Sequence, residues 1–174
     1  MASRKALAIM QGSGHIFSEI YLHLNWHCHN DKPMIKPEIE PSLHELLEQY
    51  CRKVKGIHFE RVGGTETHVH LLFQMEPFVH LSDFIGKIKG SSSHEINKRF
   101  AAGTLQWQRG YGIVSFAKKN LPSMIRYVDN QKEHHKKGTV NKVLEEFRTH
   151  LEECARTRMT KVSRRSHAKA RLGF

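Results

Sequence analysis

The sequence has few cysteines, few acidic residues and no long apolar run, and each shortage excludes a class of protein. Its three cysteines, Cys28, Cys51 and Cys154, are widely spaced and form no CxxC pair. This argues against a disulfide-stabilised secreted domain and against a cysteine-rich zinc module. No stretch approaches the roughly 18 apolar residues that a membrane-spanning helix needs, and the apolar patch at residues 6–10 is too short for a signal peptide. We therefore expect a soluble cytoplasmic protein with no membrane partner.

Acidic residues are outnumbered, because 28 lysines and arginines face 17 aspartates and glutamates, a formal net charge of +11. Such an excess favours a polyanionic partner, nucleic acid before an acidic membrane, and with it an association with the nucleoid. The excess is uneven, since residues 156–174 hold seven lysines and arginines and no acid, which leaves only +4 on residues 1–155. We expect this basic tail to be disordered or to order on a partner.

Hydrophobic periodicity predicts one α+β domain. Residues 15–28 alternate apolar and polar side chains, as a long half-buried strand does, and residues 57–62 and 67–75 give two more strands around a turn at Gly63 and Gly64. Helical spacing of apolar residues and a further strand pattern account for the remaining segments, with helices at 42–54, 81–100, 121–137 and 140–151 and a strand at 105–117.

The resulting order, βαββαβ, is that of the ferredoxin-like or RRM-like fold, an antiparallel sheet with helices on one face. We expect the opposite face of the sheet to be free, and a tyrosine-bearing helix and an accessory helix to follow the last strand. The expected division of the chain is an N-terminal lead (1–14), a main domain (15–137), an accessory helix (138–155) and the basic tail (156–174).

Histidine is abundant, with 14 in the chain, and two pairs have the spacing of metal ligands. His68 and His70 are two apart in a predicted strand, so both imidazoles project from one face, about 7 Å apart along the chain, and can bind one divalent metal. His27 and His29 form a second pair, and chance alone gives about one pair of this spacing. We favour His68 and His70, because they open an apolar strand after a glycine turn, where a rigid sheet holds them.

Tyr127 and Gln131 complement the histidine pair. They are four residues apart in a predicted helix and lie together on the polar shoulder of its apolar stripe. A tyrosine hydroxyl, with a pKa of about 10, needs a metal or a base nearby to attack a phosphodiester. An exposed tyrosine beside a metal site is therefore a candidate nucleophile, and the alternative is a boundary tyrosine that packs its ring against the sheet.

Four segments give the chain a family resemblance that runs from about Tyr21 to Lys137. They are GGTETHVHLLFQM, IGKIKGSSSHEIN, LQWQRGYGIVSFA and IRYVDNQKEHH. In this order they resemble the histidine motif, the small-residue helix, the last strand and the tyrosine helix of the HUH-type single-tyrosine transposases. That family comprises transposases of small insertion sequences and their REP-associated domesticated relatives. Residues 15–137 would then be the transposase or endonuclease domain.

The resemblance implies a mechanism and a role for each matched residue. His68, His70 and Gln131 would bind Mg²⁺ or Mn²⁺, and Tyr127 would attack single-stranded DNA to give a 5′-phosphotyrosine and a free 3′-OH. The DNA would be a hairpin or palindromic end of a mobile element, cleaved and rejoined without ATP. Since each chain carries one such tyrosine, two strand cleavages imply a homodimer, in which one chain's tyrosine helix often lies against the other's histidine pair.

One departure from the family concerns the residue before the first histidine. Relatives commonly carry Asp there, whereas this chain has Thr67, with Glu66 one position earlier. Loss of a carboxylate that orients a ligating histidine weakens metal affinity roughly 10- to 100-fold, so we expect a weaker site. By strand alternation Glu66 shares the face of His68 and His70, which makes it a further candidate ligand.

Candidate DNA contacts lie around these motifs. Basic and small side chains of the 81–100 helix would meet phosphates, Trp107 and Arg109 would hold unpaired bases, and Lys132 and Lys136 follow the tyrosine. The helix residues concerned are Lys87, Lys89, Ser91 and Ser92. Each group also has a plainer interpretation, as a solvated helix face or as a core tryptophan.

Two other functions stay open. A non-catalytic, domesticated protein that binds single-stranded DNA or RNA hairpins would use the same sheet, with Phe17 and Tyr21 as exposed aromatics, although no RNP-type aromatic cluster is present. The third hypothesis is a zinc protein built on His27, His29 and Cys51.

Overall fold

The computed structural model describes residues 17–146. Its elements are β1 (Ile20–His27), α1 (Glu40–Lys53), β2 (Ile57–Gly64), β3 (His68–Met75), α2 (Leu81–Arg99), β4 (Gly112–Phe116), α3 (Leu121–Asp129), α4 (Gln131–Lys137) and α5 (Lys142–Glu145). The predicted lead, residues 147–155 of the predicted accessory helix and the basic tail lie outside the described residues.

The four strands form one antiparallel sheet in the order β2-β3-β1-β4. Its two central strands, β1 and β3, pair so that Leu24 lies opposite Leu71 and His27 opposite His68. Residues that lie opposite each other project from the same face of a sheet. The predicted α+β fold with the order βαββαβ is therefore confirmed.

One face of the sheet carries the hydrophobic core. Leu24 and Trp26 of β1 and Leu71 and Phe73 of β3 have no exposed surface and pack with apolar side chains of α1 and α2. The two helices contribute Leu43, Leu47, Phe84, Ile85, Ile88 and Ile96. Burial of large apolar side chains stabilises by about 1.5–3 kcal/mol each, so this face fixes the position of both central strands.

The opposite face is covered as well, which corrects the expectation of a free sheet surface. α3 lies against β2 and β3, and α5 lies against β1 and β4. Beneath them Tyr21, His23 and Asn25 are at most 5% exposed. The alternation of β1 is real, but its second set of side chains faces the C-terminal helices instead of water. Strand pattern alone could not show this, because the covering helices are distant in sequence.

Two elements are shorter than their sequence patterns predict. Only residues 112–116 of the predicted strand at 105–117 belong to the sheet, and the preceding segment joins it through an isolated bridge between Trp107 and Cys28. The predicted helix at 121–137 is two helices, because Asn130, with φ −101° and ψ 19°, leaves the helical conformation and ends α3. Within residues 17–146 no helix is long and apolar enough to span a membrane.

Candidate active site

His68 and His70 lie on the covered face of β3, where the sheet holds both imidazoles rigidly. Their side chains are 1% and 0% exposed, and the ring centroids are 4.9 Å apart. The pairing of β3 with β1 adds a third ring, since His27 lies opposite His68 and stacks on it with centroids 4.8 Å apart. The two histidines that the sequence singled out thus lie, with His27, in one buried cluster of imidazoles on the covered face of the sheet.

The orientation of His68 is fixed by two threonine hydroxyls. The Oγ1 atoms of Thr65 and Thr67 lie 2.9 and 3.0 Å from His68 Nδ1, so Nδ1–H can donate to either and Nε2 keeps its lone pair. Burial, followed by the neighbouring His70, lowers the pKa of His68 from 6.5 to about 3. The ring is therefore neutral at pH 7, the state that binds a metal. Thr67, the residue directly before the first histidine, thus contacts the imidazole of that histidine.

His70 is held by a histidine that the sequence reasoning did not single out. His23 Nε2 of β1 lies 2.7 Å from His70 Nδ1, and burial, followed by His70, lowers the pKa of His23 from 6.5 to about 3. The Nε2 atom of a neutral His23 can accept a hydrogen bond from His70 Nδ1–H, which leaves His70 Nε2 as a ligand atom. The signal was present in the sequence, because His23 has the alternation of the covered face of β1.

Tyr127 of α3 contacts this histidine cluster of the same chain. Its ring lies edge-on to His70, with centroids 6.2 Å apart, its hydroxyl donates a short hydrogen bond to Glu145 Oε1, and the hydroxyl oxygen accepts one from Asn141 N at 3.1 Å. Burial, reinforced by the hydrogen bond to Glu145, raises the pKa of Tyr127 above its ordinary value. The hydroxyl is therefore protonated at pH 7 and held in one orientation.

Gln131 enters the site from the first turn of α4, just after the bend at Asn130. It is 1% exposed, and its Nε2 donates a long hydrogen bond of 3.5 Å to Tyr127 O. This places the amide oxygen, Oε1, on the buried side of the residue, where it makes no hydrogen bond to the described residues. The predicted pair of Tyr127 and Gln131 is thus brought together, although the two belong to different helices.

Glu145 of α5 is the residue at the centre of the site, and sequence reasoning missed it. Its Oε2 lies 3.4 Å from His68 Nε2, 3.3 Å from His70 Nε2 and 3.5 Å from His135 Nε2 of α4. Burial alone would raise the pKa of this carboxyl, but its close contact with His70, with contributions from Tyr127 and His68, holds that pKa well below its usual range. Glu145 is therefore ionised at pH 7.

The donor set of this site fits a divalent metal. Among the buried side-chain atoms that make no hydrogen bond to the described residues, four around Tyr127 are of ligand type: His68 Nε2, His70 Nε2, Gln131 Oε1 and Glu145 Oε2. Buried polar atoms are normally paired, and neutral imidazole nitrogens with amide and carboxylate oxygens suit Mn²⁺ and related cations. The ligand atoms of His68, His135 and Glu145 also lie within 4.8 Å of one another.

Close backbone approach positions the tyrosine helix on the sheet. A Cβ on Gly63 of β2 would lie 2.5 Å from Val128 O, so only glycine lets α3 pack this closely. Arg61 Nε and Nη2 donate to Asp129 Oδ1 and Oδ2 at 2.6 and 2.9 Å, a two-point link between the same elements. The Gly63–Gly64 turn therefore ends β2 and also allows α3, which carries Tyr127, to pack closely on the sheet.

The structure does not bring Glu66 into the site. Strand alternation predicted that it would share the face of His68 and His70, but β3 begins only at His68. Glu66 lies in the bend before the strand and is exposed, and its backbone oxygen accepts from Ile35 N at 2.9 Å. The parity argument fails because it assumed strand geometry for a turn residue.

Several candidate DNA contacts have structural partners instead. Lys89 Nζ donates to Gln108 O at 3.1 Å and to Gly110 O at 2.5 Å, and burial lowers its pKa to about 8. Trp107 Nε1 donates to the buried Ser92 Oγ at 3.1 Å, and its ring lies edge-on to Trp26. These side chains fasten the 105–111 segment to α2, so Lys89 and Ser92 do not belong to a solvated helix face, while Trp107 packs as a core tryptophan would.

Other predicted contacts remain at the surface. Lys87, Arg109 and Lys136 are exposed, whereas Lys132 Nζ lies 2.5 Å from Glu40 Oε2. The hydroxyl of Ser91 donates to Ile88 O of its own helix at 3.3 Å. A groove of about 540 Å³ between α2 and the 105–111 segment is lined by Lys89, Trp107 and Arg109, among others. The small residues of α2 border this groove, and a Cβ added at Gly86 or Gly90 would touch nothing.

The zinc hypothesis on His27, His29 and Cys51 is not supported. Cys51 is fully buried among the apolar side chains of the core, and burial raises the pKa of its thiol to about 12. His27 projects from the opposite face of the sheet, where it stacks on His68, and its Nδ1 lies 2.6 Å from Asp31 Oδ1. The sheet therefore separates the residues that such a site would need.

Comparisons with known proteins agree with this architecture. The profile of the family described as transposase, IS200-like, matches residues 16–131. The ISDra2 transposase TnpA of Deinococcus radiodurans is 22% identical over 132 residues, which is 72% of this chain and 92% of that protein. The crystal structure of a candidate transposase from Deinococcus radiodurans R1 superposes with a TM-score of 0.55 at 20% identity, covering 70% of this chain and 96% of that one. The chain therefore belongs to the IS200-like transposase family.

Proposed function

We propose that this transposase cleaves and rejoins single-stranded DNA through a 5′-phosphotyrosine on Tyr127, assisted by Mg²⁺ or Mn²⁺ at His68, His70 and Gln131. The observation that carries the proposal is that one carboxylate, Glu145, contacts both the Tyr127 hydroxyl and the Nε2 atoms of the two histidines. The nucleophile and the metal-ligand atoms therefore share one small, enclosed site.

The chain's own residues account for much of the chemistry. His68, His70 and Gln131 would hold the metal, which supplies Lewis-acid stabilisation of charge on the scissile phosphate. Tyr127, whose hydroxyl is already oriented by Glu145 and Asn141, would pass its proton to the Glu145 carboxylate as its oxygen bonds to phosphorus. The bond from phosphorus to the 3′ oxygen breaks, and that oxygen takes the proton from Glu145 and leaves as a 3′-OH. The reverse attack by a 3′-OH restores the DNA and the free tyrosine.

The contact between Tyr127 and His70 of the same chain, with ring centroids 6.2 Å apart, supports a site formed within one chain. The homodimer is part of the proposal on other grounds, since two strand cleavages need two nucleophiles. Mixing two inactive variants, Tyr127→Phe and His68→Gln, tests the arrangement. A site formed in one chain predicts that the mixture forms no covalent adduct, whereas adduct formation would mean that tyrosine and histidines come from different chains.

The alternative of a non-catalytic binder on an open sheet loses its main support. Such a module stacks bases on exposed sheet aromatics, but Tyr21 is only 5% exposed and packs against Phe116, with centroids 5.8 Å apart. Phe17, at 87% exposure, lies before the first strand. The covered face of the sheet presents histidines, which a pure nucleic-acid binder does not need.

The test of the proposed function is covalent capture of DNA. A labelled single-stranded hairpin oligonucleotide from the DNA flanking the coding sequence is incubated with the full chain and Mn²⁺ or Mg²⁺. We expect an SDS-resistant adduct that EDTA and Tyr127→Phe abolish and that Tyr111→Phe, at an exposed tyrosine, leaves unchanged. An adduct that survives Tyr127→Phe, or none with any flanking hairpin, would contradict the proposal.

A further inference from the structure

We propose that Glu145 and His135 are metal ligands in addition to His68, His70 and Gln131, so that the site presents three imidazoles and one carboxylate, besides the Gln131 amide oxygen, to a single cation. This inference rests on the proposed metal site of the transposase and extends it. Both residues lie beyond residue 131, where the match to the family profile ends. The segment after the family's common region would thus complete the metal centre of this chain.

The distances around Glu145 have the size that coordination requires. Its Oε2 lies 3.3–3.5 Å from the Nε2 atoms of His68, His70 and His135. Ligand atoms about 2.1 Å from one cation stand about 3.0 Å apart at a right angle and about 3.4 Å apart at the tetrahedral angle. The distances from Oε2 thus fall in the range of ligand atoms that share one cation, and the ligand atoms of His68, His135 and Glu145 lie within 4.8 Å of one another.

Among residues 17–146, the Glu145 carboxylate forms ion pairs with histidines alone. The residue is 15% exposed, with its Oε2 making no hydrogen bond to the described residues. An ionised carboxylate removed from water is costly unless it is paired or coordinates a metal. A divalent cation among the four atoms would balance this charge and coordinate the carboxylate.

The position of Glu145 is built by the surrounding chain. Asn25 of β1 donates from Nδ2 to Leu144 O at 2.9 Å inside the protein, and Asn141 caps α5 by accepting from Val143 N at 3.0 Å. A Cβ on Gly112 of β4 would lie 1.9 Å from Glu146 O, so this glycine leaves room for the chain directly after Glu145. Three separate elements thus direct α5 over the histidines, as expected for a ligand and not for a surface residue.

The donor set also predicts which cation binds. Carboxylate, carbonyl and water oxygens suit Mg²⁺, while imidazole suits later divalent metals. Three imidazoles with one carboxylate therefore favour Mn²⁺, Co²⁺ or Zn²⁺ over Mg²⁺. With Oε2 on the cation, Oε1 of Glu145 still accepts from the Tyr127 hydroxyl, so the same carboxylate would fix the nucleophile relative to the metal.

The test is Mn²⁺ binding by the metal-stripped full chain without DNA, measured by titration calorimetry and by the EPR signal of free Mn²⁺. We expect Glu145→Gln, which keeps size and the acceptor for Tyr127, to raise the Kd for Mn²⁺ at least about tenfold. His135→Gln should raise it by a smaller factor, because His135 is 39% exposed. Glu133→Gln, on the exposed face of α4, is the matched control and should leave the Kd unchanged.

The outcomes separate this inference from the proposed function. If the wild type binds Mn²⁺ through His68 and His70 but Glu145→Gln and His135→Gln bind it equally well, the inference is wrong and the transposase mechanism stands. If Glu145→Gln binds equally well and forms more DNA adduct, Glu145 obstructs the site instead of completing it. If the wild type binds no Mn²⁺, both ideas fail. If circular dichroism shows that Glu145→Gln is unfolded, a second measurement tests the inference: the ¹⁴N modulation of the electron spin echo of bound Mn²⁺, which counts coordinated imidazoles. We expect three imidazoles in the wild type and two in His135→Gln.

Discussion

Acid should destabilise this fold between pH 7 and pH 5 through two buried histidines. Burial, together with the neighbouring His70, lowers the pKa of His23 and of His68 from 6.5 to about 3. Because the folded pKa is the lower one, the unfolded chain binds protons first, so the stability is present above pH 6.5 and is lost as the pH falls. At pH 5 the folded protein still keeps both rings neutral, while the unfolded chain protonates them.

The size of the effect follows from these values. Each histidine binds a proton in the unfolded state over the interval from pH 6.5 to pH 5, which costs about 2 kcal/mol of folding free energy at 1.36 kcal/mol per pH unit. His23 and His68 are each 1% exposed, so solvent screening does not reduce the figure. Together they remove about 4 kcal/mol, a large share of the stability of an ordinary domain.

Urea denaturation at pH 7, 6 and 5 in EDTA measures this loss directly. Replacing one of the two rings, as in His68→Gln, should reduce the difference in unfolding free energy between pH 7 and pH 5 to about 2 kcal/mol. His58→Gln, at a histidine whose side chain is 55% exposed, should leave the difference unchanged. A wild-type protein equally stable at pH 7 and pH 5 would refute the reasoning, because it would mean that the imidazoles are accessible to protons in the folded state.

Three further predictions concern residues around the site. Replacing both Thr65 and Thr67 by valine removes the hydroxyls on His68 Nδ1 and should weaken Mn²⁺ binding by roughly 10- to 100-fold in calorimetry; an unchanged Kd would mean that they do not orient the ring. Gly63→Ala puts a Cβ 2.5 Å from a carbonyl of α3 and should cost about 1–3 kcal/mol in urea denaturation, with less DNA adduct; wild-type stability would show that α3 does not need this close approach. Lys89→Met should speed hydrogen exchange in the 105–111 segment without altering the salt dependence of DNA binding. Lys87→Met should instead lower by about 1 the slope of log binding constant against log salt concentration. The reverse pattern would contradict the structural role of Lys89.

The fold could be predicted largely because its signals are local. Period-two alternation identifies β1 and β3, and helical spacing identifies α1 and α2, since each pattern depends on which face of an element is buried. The strand order β2-β3-β1-β4 then follows the fold that the element order implies. The element boundaries were predicted less accurately, because the residue pattern does not show where the backbone leaves a helix. Asn130, for example, ends α3 within a continuous polar stretch.

The site could be predicted only in part, for the same reason. His68 and His70 share a strand and Tyr127 and Gln131 are near in sequence, so spacing relates each pair. Glu145 meets His68 across 77 positions of the chain, and no spacing rule connects them. Contacts of this kind depend on how α5 packs over β1 and β4, and the sequence carries no periodic signal for such long-range packing.

The central claim, that Tyr127 is the nucleophile, is tested most directly by identifying the modified peptide. Trypsin cuts after Arg126 and after Lys132, so the adduct should yield the peptide YVDNQK. After nuclease digestion, mass spectrometry should find this peptide carrying a 5′-linked nucleotide on its tyrosine, in amounts that depend on added Mn²⁺ or Mg²⁺. A nucleotide on any other residue, or an unmodified YVDNQK peptide in a sample with full DNA cleavage, would contradict the account.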